Sequence, residues 1–253
     1  MFIRQTAAPL RFFRTTPALR CPYLPNRFET KLVTELGGPD ALDLHDQLTD
    51  AGFRRSHHYV YKPLCGSCQA CVPVRIPVAA FQPSRSQRRT WRANQDVAGA
   101  VLPAMATSEQ FALFSRYVAA RHGDGDMSEM DFDDYRAMIE ESPVDTHLVE
   151  LRDGQRLVAA CLTDWLGNGI SAVYSFFDPR LRRRALGVLT VMWLVEEAKR
   201  RGLPYVYLGY WIAGSSKMDY KARYAPLEAL GPGGWEAFEP SAIAGSRSRP
   251  AVR

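Results

Sequence analysis

Residues 146–212 read THLVELRDGQRLVAACLTDWLGNGISAVYSFFDPRLRRRALGVLTVMWLVEEAKRRGLPYVYLGYWI. THLVELR and RLVAACLTDW have strand composition and flank Asp153-Gly154, a dipeptide that readily adopts the backbone of a tight hairpin turn. GISAVYSFF reads as a third strand, and LRRRALGVLTVMWLVEEAKRRG as a long amphipathic helix closed by Gly202. YVYLGYWI is a fourth strand whose alternation buries one face whatever the protein does. Upstream, Ser108 can cap a helix with Phe111, Phe114, Tyr117 and Val118 on one face. DFDDYRAMIEE is a second helix, with its acids in the first turn where the dipole favours them.

The order helix, helix, hairpin, strand, long helix, strand is an α/β (α+β) pattern that resembles the GNAT-like acyltransferase fold. In that fold a helix N-terminus holds the pyrophosphate of coenzyme A through backbone N–H groups. Here Arg184 and Gly187 keep part of the usual phosphate loop, but Leu189 stands where close backbone approach needs a small residue. The scaffold fits an acyltransferase and the coenzyme A site does not.

Outward from this core, the chain of 253 residues divides by composition into a basic, cysteine-containing unit at 1–95, the transferase unit at 105–240 and a disordered tail at 241–253. The stretch 94–107 reads as the connection between the units. A short helix is predicted at about 40–51, ended by Gly52, with short strands in HHYVYKP and VPVRIPV. Through Arg92 there are 14 Lys or Arg against 6 Asp or Glu, and beyond it 18 against 21, so a polyanionic partner is expected on the first third. No apolar run approaches the roughly 20 residues of a membrane helix. The arginine-rich N-terminus is interrupted by Pro9, Pro17, Pro22 and Pro25, which argues against a presequence helix and for a cytoplasmic protein with an extended arm.

Three cysteines crowd into CGSCQAC. Cys65, Cys68 and Cys71, with Cys21 as a fourth, have spacing that suits zinc or an iron–sulfur cluster in a structural or regulatory role. His57 and His58 are alternative fourth ligands, and Cys161 reads as a packed core residue. Asp124 and Asp126 in RHGDGDM read as turn residues.

Seven stretches together resemble one family: CPYLP (21–25), GFRRS (52–56), YKPLCGSCQACVPVR (61–75), FQPSRSQRR (81–89), RHGDGDM (121–127), Tyr174 with FFDP (176–179), and YVYLGYWI followed by KMDYKARYAPLE within 205–228. The family is the bacterial aspartate/glutamate leucyltransferases, relatives of the eukaryotic arginyl-tRNA–protein transferases. The resemblance implies transfer of leucine from leucyl-tRNA to the N-terminal Asp or Glu of a protein, which marks it for degradation through the N-degron route. It also implies no cofactor for the transfer itself. Asn26 replaces a frequent glycine and tolerates the same left-handed backbone. Gly214-Ser215-Ser216 precedes Lys217 where relatives often carry cysteine, so no thiol nucleophile is available there.

Peptide-bond formation from an aminoacyl ester is downhill. The enzyme must align two reactants and stabilise an oxyanion. Arg54 and Arg55 are the candidates for the acceptor carboxylate, because a planar guanidinium matches it bidentately. Arg85, Arg88, Arg89 and Arg184 are the candidates for the RNA phosphates, extended by Arg75, Arg92, Arg182 and Arg183. Lys217, Asp219 and Tyr210 are assigned to catalysis, with Tyr207, Trp211 and Tyr220 walling the donor pocket and Lys221 beside them. Three alternatives remain open: arginine as the donor, a non-catalytic metal-bearing RNA-binding module, and an ordinary acetyltransferase.

Overall fold

The first third of the chain builds a small sheet on the side of a larger one. The computed structural model describes residues 10–121 and 125–238; Asp124 and the tail predicted at 241–253 lie outside them. Two-residue pairings at Arg14–Thr15 (β1), Leu19–Arg20 (β2) and Phe28–Glu29 (β3) tie down the proline-punctuated arm. β4 (Lys31–Glu35) leads to helix α1 (Ala41–Asp50), then to the hairpin of β5 (Arg54–Ser56) and β6 (Tyr59–Pro63). The small sheet runs β1-β4-β6-β5. Leu36, Phe53 and Val60 form its core, and Gly52, at φ +87°, turns the chain from α1 into β5. Asn26 adopts φ +56°, the left-handed backbone anticipated for it.

Next come β7 (Val72–Pro77), α2 (Arg85–Arg92), β8 (Val97–Pro103), α3 (Ser108–Arg121) and α4 (Phe132–Glu140). β9 (Thr146–Asp153), β10 (Arg156–Leu166), β11 (Gly169–Phe177), α5 (Leu186–Arg200), β12 (Tyr205–Trp211), β13 (Glu228–Gly231) and β14 (Gly234–Ala237) complete the chain. The large sheet has the order β14-β13-β7-β12-β11-β10-β9-β8. β11 and β12 are parallel, joined by α5, while their other neighbours are antiparallel. One face packs on α5 through Val149, Val158, Leu194, Val195 and Val206; the other packs on α3 and α4 through Leu113, Phe114, Tyr135, Leu148 and Phe176. This is the mixed α/β, GNAT-like arrangement read from residues 146–212.

Three local readings change. The 94–107 stretch is no plain connection: Val97–Pro103 pairs with β9 as the sheet's edge strand. Its Ala and Gly residues hide the strand signal. Gly99 is there because Trp193 packs on it: a β-carbon would come within 2.0 Å of the indole Nε1. VPVRIPV, assigned by composition to the first unit, is a strand of the large sheet with β12 and β13 as neighbours. Finally, α5 begins at Leu186 and not within the arginine run. Arg182–Arg184 form a 3-10 turn, and Ala185, at φ +50°, breaks it from the helix.

PSRSQRR, by contrast, is helical because Ser84 and Gln87 form a capping box. The Gln87 N–H donates to Ser84 Oγ (3.3 Å) and the Ser84 N–H to Gln87 Oε1 (2.7 Å).

Candidate active site

β11 and β12 are in register only from Gly169–Tyr205 to Ser171–Tyr207. Gly169 permits this close pairing, since a β-carbon there would lie 2.5 Å from the Tyr205 carbonyl oxygen. Beyond it, Gly209 takes φ +75° and the register against β7 slips, so β12 swings away and a gap opens beside β11. Arg54 fills the floor of that gap. Its Nη1 donates to Ser171 Oγ (2.8 Å) and its Nη2 to the Ala172 carbonyl, which β12 no longer reaches. The guanidinium lies against Gly209, where a β-carbon would stand 2.9 Å from Nε.

On the same face of β11, roughly 10 Å farther along the strand, the Tyr174 hydroxyl is buried without a hydrogen-bond partner among the described residues. Burial raises its pKa, and Tyr117 adds to the shift, so it remains a phenol at neutral pH. Phe114 lies beside it, with ring centroids 6.1 Å apart. Tyr220 is 41 % exposed and lies edge-on to Tyr224 with ring centroids 6.4 Å apart; partial desolvation by the surrounding protein pushes its phenol up to about 12. Arg54 and Gly209 also line a small cavity with Gly52, Phe53, Tyr207 and Trp235.

Lys221 is the buried cation beside this gap. Its Nζ donates to the Tyr210 carbonyl (2.6 Å) and approaches Met218 Sδ (3.2 Å), and no carboxylate pairs with it among the described residues. Burial, then the charge of Arg54, pulls it down to about 7. Its sequence neighbours Lys217 and Asp219, given the catalytic roles above, are exposed. Lys217 and Lys221 on one loop look alike in sequence; only the short 3-10 turn at Asp219–Arg223 determines which one points inward.

Several assigned residues are otherwise engaged. Arg55 is buried and makes a bidentate pair with Asp164, Nε–Oδ2 and Nη2–Oδ1 both 2.7 Å, so it is not free for an acceptor. Thr146 Oγ1 also donates to Asp164 (2.8 Å), and His45 Nε2 lies 3.5 Å away. Tyr210 donates its hydroxyl to the Gly52 carbonyl (2.9 Å), with the Tyr61 carbonyl at 3.2 Å, which makes it a strut to the small sheet rather than a catalytic group. Tyr207 contacts Asp50 and Asn168 and accepts from Arg75 Nη1 (3.2 Å) on the far side of the gap. Trp211 packs edge-on against Phe238 in the core. Of the three donor-pocket residues, Tyr207 lines the cavity beside Arg54, and Tyr220 is exposed on the loop next to Lys221.

For the RNA, Arg184 is spoken for: it bonds Asn94 Oδ1 (2.9 Å), Asp153 Oδ2 (2.7 Å) and Asp96. Arg75 is likewise held by Glu228 and Asp50, sandwiched between the rings of Tyr205 and Trp235. Arg85, Arg88, Arg89 and Arg92 are exposed on α2, and Arg182 and Arg183 on the nearby turn, with no carboxylate partners among the described residues.

The four cysteines Cys21, Cys65, Cys68 and Cys71 line one cavity with Tyr23, Leu24 and Ile212. Among the described residues, however, no three of His, Cys, Asp or Glu are placed to hold one ion. Burial, and then its cysteine neighbours, push the Cys71 thiol up to about 12. His57 and His58 cannot complete the cysteine set: they sit at the β5–β6 turn, the opposite end of β6 from Cys65, where His58 faces Glu141 at 3.6 Å.

The mixed sheet, with its parallel pair β11–β12 splaying beside Arg54, is the α/β architecture expected from residues 146–212. Family models for the arginine-tRNA-protein transferase N terminus and C terminus match residues 19–89 and 109–231. The aspartate/glutamate leucyltransferase of Paramagnetospirillum magneticum is 57 % identical over 230 residues, 90 % of this chain and 94 % of that one. That of Rhodospirillum rubrum is 54 % identical with the same coverage. The chain therefore belongs to the arginine-tRNA-protein transferase family, among its aspartate/glutamate leucyltransferases, and is an aminoacyltransferase. Among solved structures, FemX overlaps 82 % of the chain and 81 % of its own at 9 % identity and a TM-score of 0.44. No described helix is long and apolar enough to cross a membrane.

Proposed function

We propose that this chain transfers leucine from leucyl-tRNA to proteins and peptides that begin with Asp or Glu, using the β11–β12 gap as its active site. The observation that carries this reading is Arg54, a half-buried guanidinium held flat by Ser171, Ala172 and Gly209 at the base of that gap. Its two bonds leave further N–H donors of the fork for a carboxylate. A positioned guanidinium recognises Asp and Glu alike, since both present the same planar group.

The neutral fraction of the acceptor amine, with an ordinary pKa of about 8, attacks the ester carbonyl of leucyl-tRNA. The C–N bond forms, the C–O bond to the ribose breaks, and the proton lost by nitrogen is matched by one gained at the ribose oxygen. No nucleotide or cofactor enters this balance. Tyr174, a buried phenol with no partner among the described residues, is the donor available to the carbonyl oxygen as charge develops there. Lys221 positions the loop that carries Tyr220 by holding the Tyr210 carbonyl. The exposed arginines of α2 supply phosphate contacts. An N-terminal leucine then marks the product for degradation in the cytoplasm.

Beyond Arg54, the partly exposed side chains Tyr117, Tyr174 and Tyr220 offer rings rather than carboxylates, which favours leucine over arginine as donor. Label transfer from leucyl-tRNA and from arginyl-tRNA to peptides starting with Asp, Glu, Lys or Ala tests the reading. Leucine on Asp and Glu alone is the expected result. Arginine transfer would move the activity to the sister branch, and no transfer from either donor would remove the catalytic reading.

A further inference from the structure

The loop from Ala213 to Leu227 that carries Tyr220 lies between two basic elements that are far apart in sequence. On one side Gln87 of α2 donates its Nε2 to the Arg223 carbonyl at 3.0 Å. On the other, Tyr23 and Leu24 of the N-terminal arm pack with Tyr210, Ile212 and Met218. The arm thus reaches the gap from the side opposite α2. Its β2–β3 pairing sets Arg20 directly across from Phe28, and Arg27 precedes that ring. Phe28 is 66 % exposed, an unusual position for a phenylalanine, and with Arg27 it lines the rim of the cysteine cavity, which Ile212 at the end of β12 also lines. Both arginines are exposed without a carboxylate partner among the described residues, and residues 10–28 contain no Asp or Glu.

An exposed ring beside free guanidinium groups is the combination that holds single-stranded nucleic acid. The ring stacks on a base and the cations track the backbone. A duplex offers the ring nothing, because its bases are already stacked. Across the loop, Lys217 and Arg223 are exposed and bridge the two elements, with Asp219 as the loop's single acid before Leu227.

We infer that Arg20, Arg27 and Phe28 form a platform for the single-stranded 3′ end of the donor RNA, separate from the α2 arginines that contact its paired stem. This rests on the reading of the chain as an aminoacyl-tRNA transferase, and it gives Lys217 a backbone contact rather than a part in the chemistry. The RNA lies across the loop, with its stem on α2 and its end turned past the arm into the gap.

The test compares the full chain's affinity for uncharged tRNA with that for the same tRNA lacking its last three nucleotides, at fixed salt. Wild type should prefer the intact molecule about tenfold, the scale of one stacked base. Phe28→Ser and the double variant Arg20→Gln/Arg27→Gln should bind both RNAs as wild type binds the trimmed one, with unchanged melting curves, and Phe28→Tyr should restore the preference. Arg88→Glu/Arg89→Glu should weaken both RNAs equally and keep the ratio. Arm variants that retain the wild-type ratio, or a wild type with no ratio, would overturn the platform. A wild type that transfers no leucine, yet loses its preference when the arm is altered, would sink the proposed function and leave the platform standing.

Discussion

Arg54 and Arg55 are neighbours on one strand and point to opposite fates. Around Arg55 every charge is answered: two bonds to Asp164, a third group from Thr146, and His45 closing the side. Around Arg54 the groups are left partly unanswered among the described residues, with the Tyr174 hydroxyl lacking a partner, Lys221 lacking a carboxylate and Tyr220 half-open. A saturated polar cluster holds the small sheet to the large one. An unsaturated one, in a cleft, is free to do chemistry, and its unpaired groups cost stability that the fold must supply elsewhere.

The largest expected effect breaks the saturated side. Asp164→Ala strands a buried guanidinium and should destabilise the protein by about 3–5 kcal/mol, read from denaturant unfolding. A loss under 1 kcal/mol would mean that Arg55 escapes to solvent and that the clamp is not a clamp. Gly209→Ala attacks the other side without touching a polar group. Its β-carbon collides with Arg54 and requires φ +75° of an alanine, so leucyl transfer should fall tenfold or more while the fold survives. Transfer at wild-type rates would detach Arg54 from the site.

Lys221 sharpens the comparison through pH. Its pKa is lower in the folded protein, about 7, than in the unfolded chain, near 10.5. The unfolded state therefore holds one more proton between those values, and this group's penalty fades as pH rises from 7 toward 10.5. Stability should climb across that window by up to ~1.4 kcal/mol per pH unit, and Lys221→Met should flatten the climb. An identical slope in the variant would assign it to other groups. The smallest effect belongs to Tyr174→Phe. Removing an unpaired buried hydroxyl should leave stability unchanged or raise it by about 1 kcal/mol, while transfer slows. A destabilised variant would show that the hydroxyl has a structural partner after all.

Much of this was readable from residues. The hairpin at Asp153-Gly154, the long helix and YVYLGYWI specify the sheet because their periodicity is strong and uninterrupted. β8 was hidden because Gly99 makes room for Trp193, and its flanking alanines carry little strand propensity. Within the site, GFRRS announced a pair of guanidinium groups, but strand alternation alone cannot say which one meets a carboxylate partner 109 residues away. The same limit applied to KMDYK: Lys217 and Lys221 differ only in the turn that buries the second. Arg184 was read as a phosphate ligand because Asp96 and Asp153, which neutralise it, lie far off in sequence.

The central claim is that Arg54 reads the acceptor carboxylate. Its most direct test is leucyl transfer by wild type and Arg54→Gln to a panel of peptides beginning with Asp, Glu, Asn and Gln, with Km and kcat measured for each. The account predicts that wild type acts on Asp and Glu, and that the variant loses on the order of a hundredfold in kcat/Km on those two while its level on Asn and Gln stays put. A variant that slows equally on all four, or keeps the acidic preference intact, would contradict it.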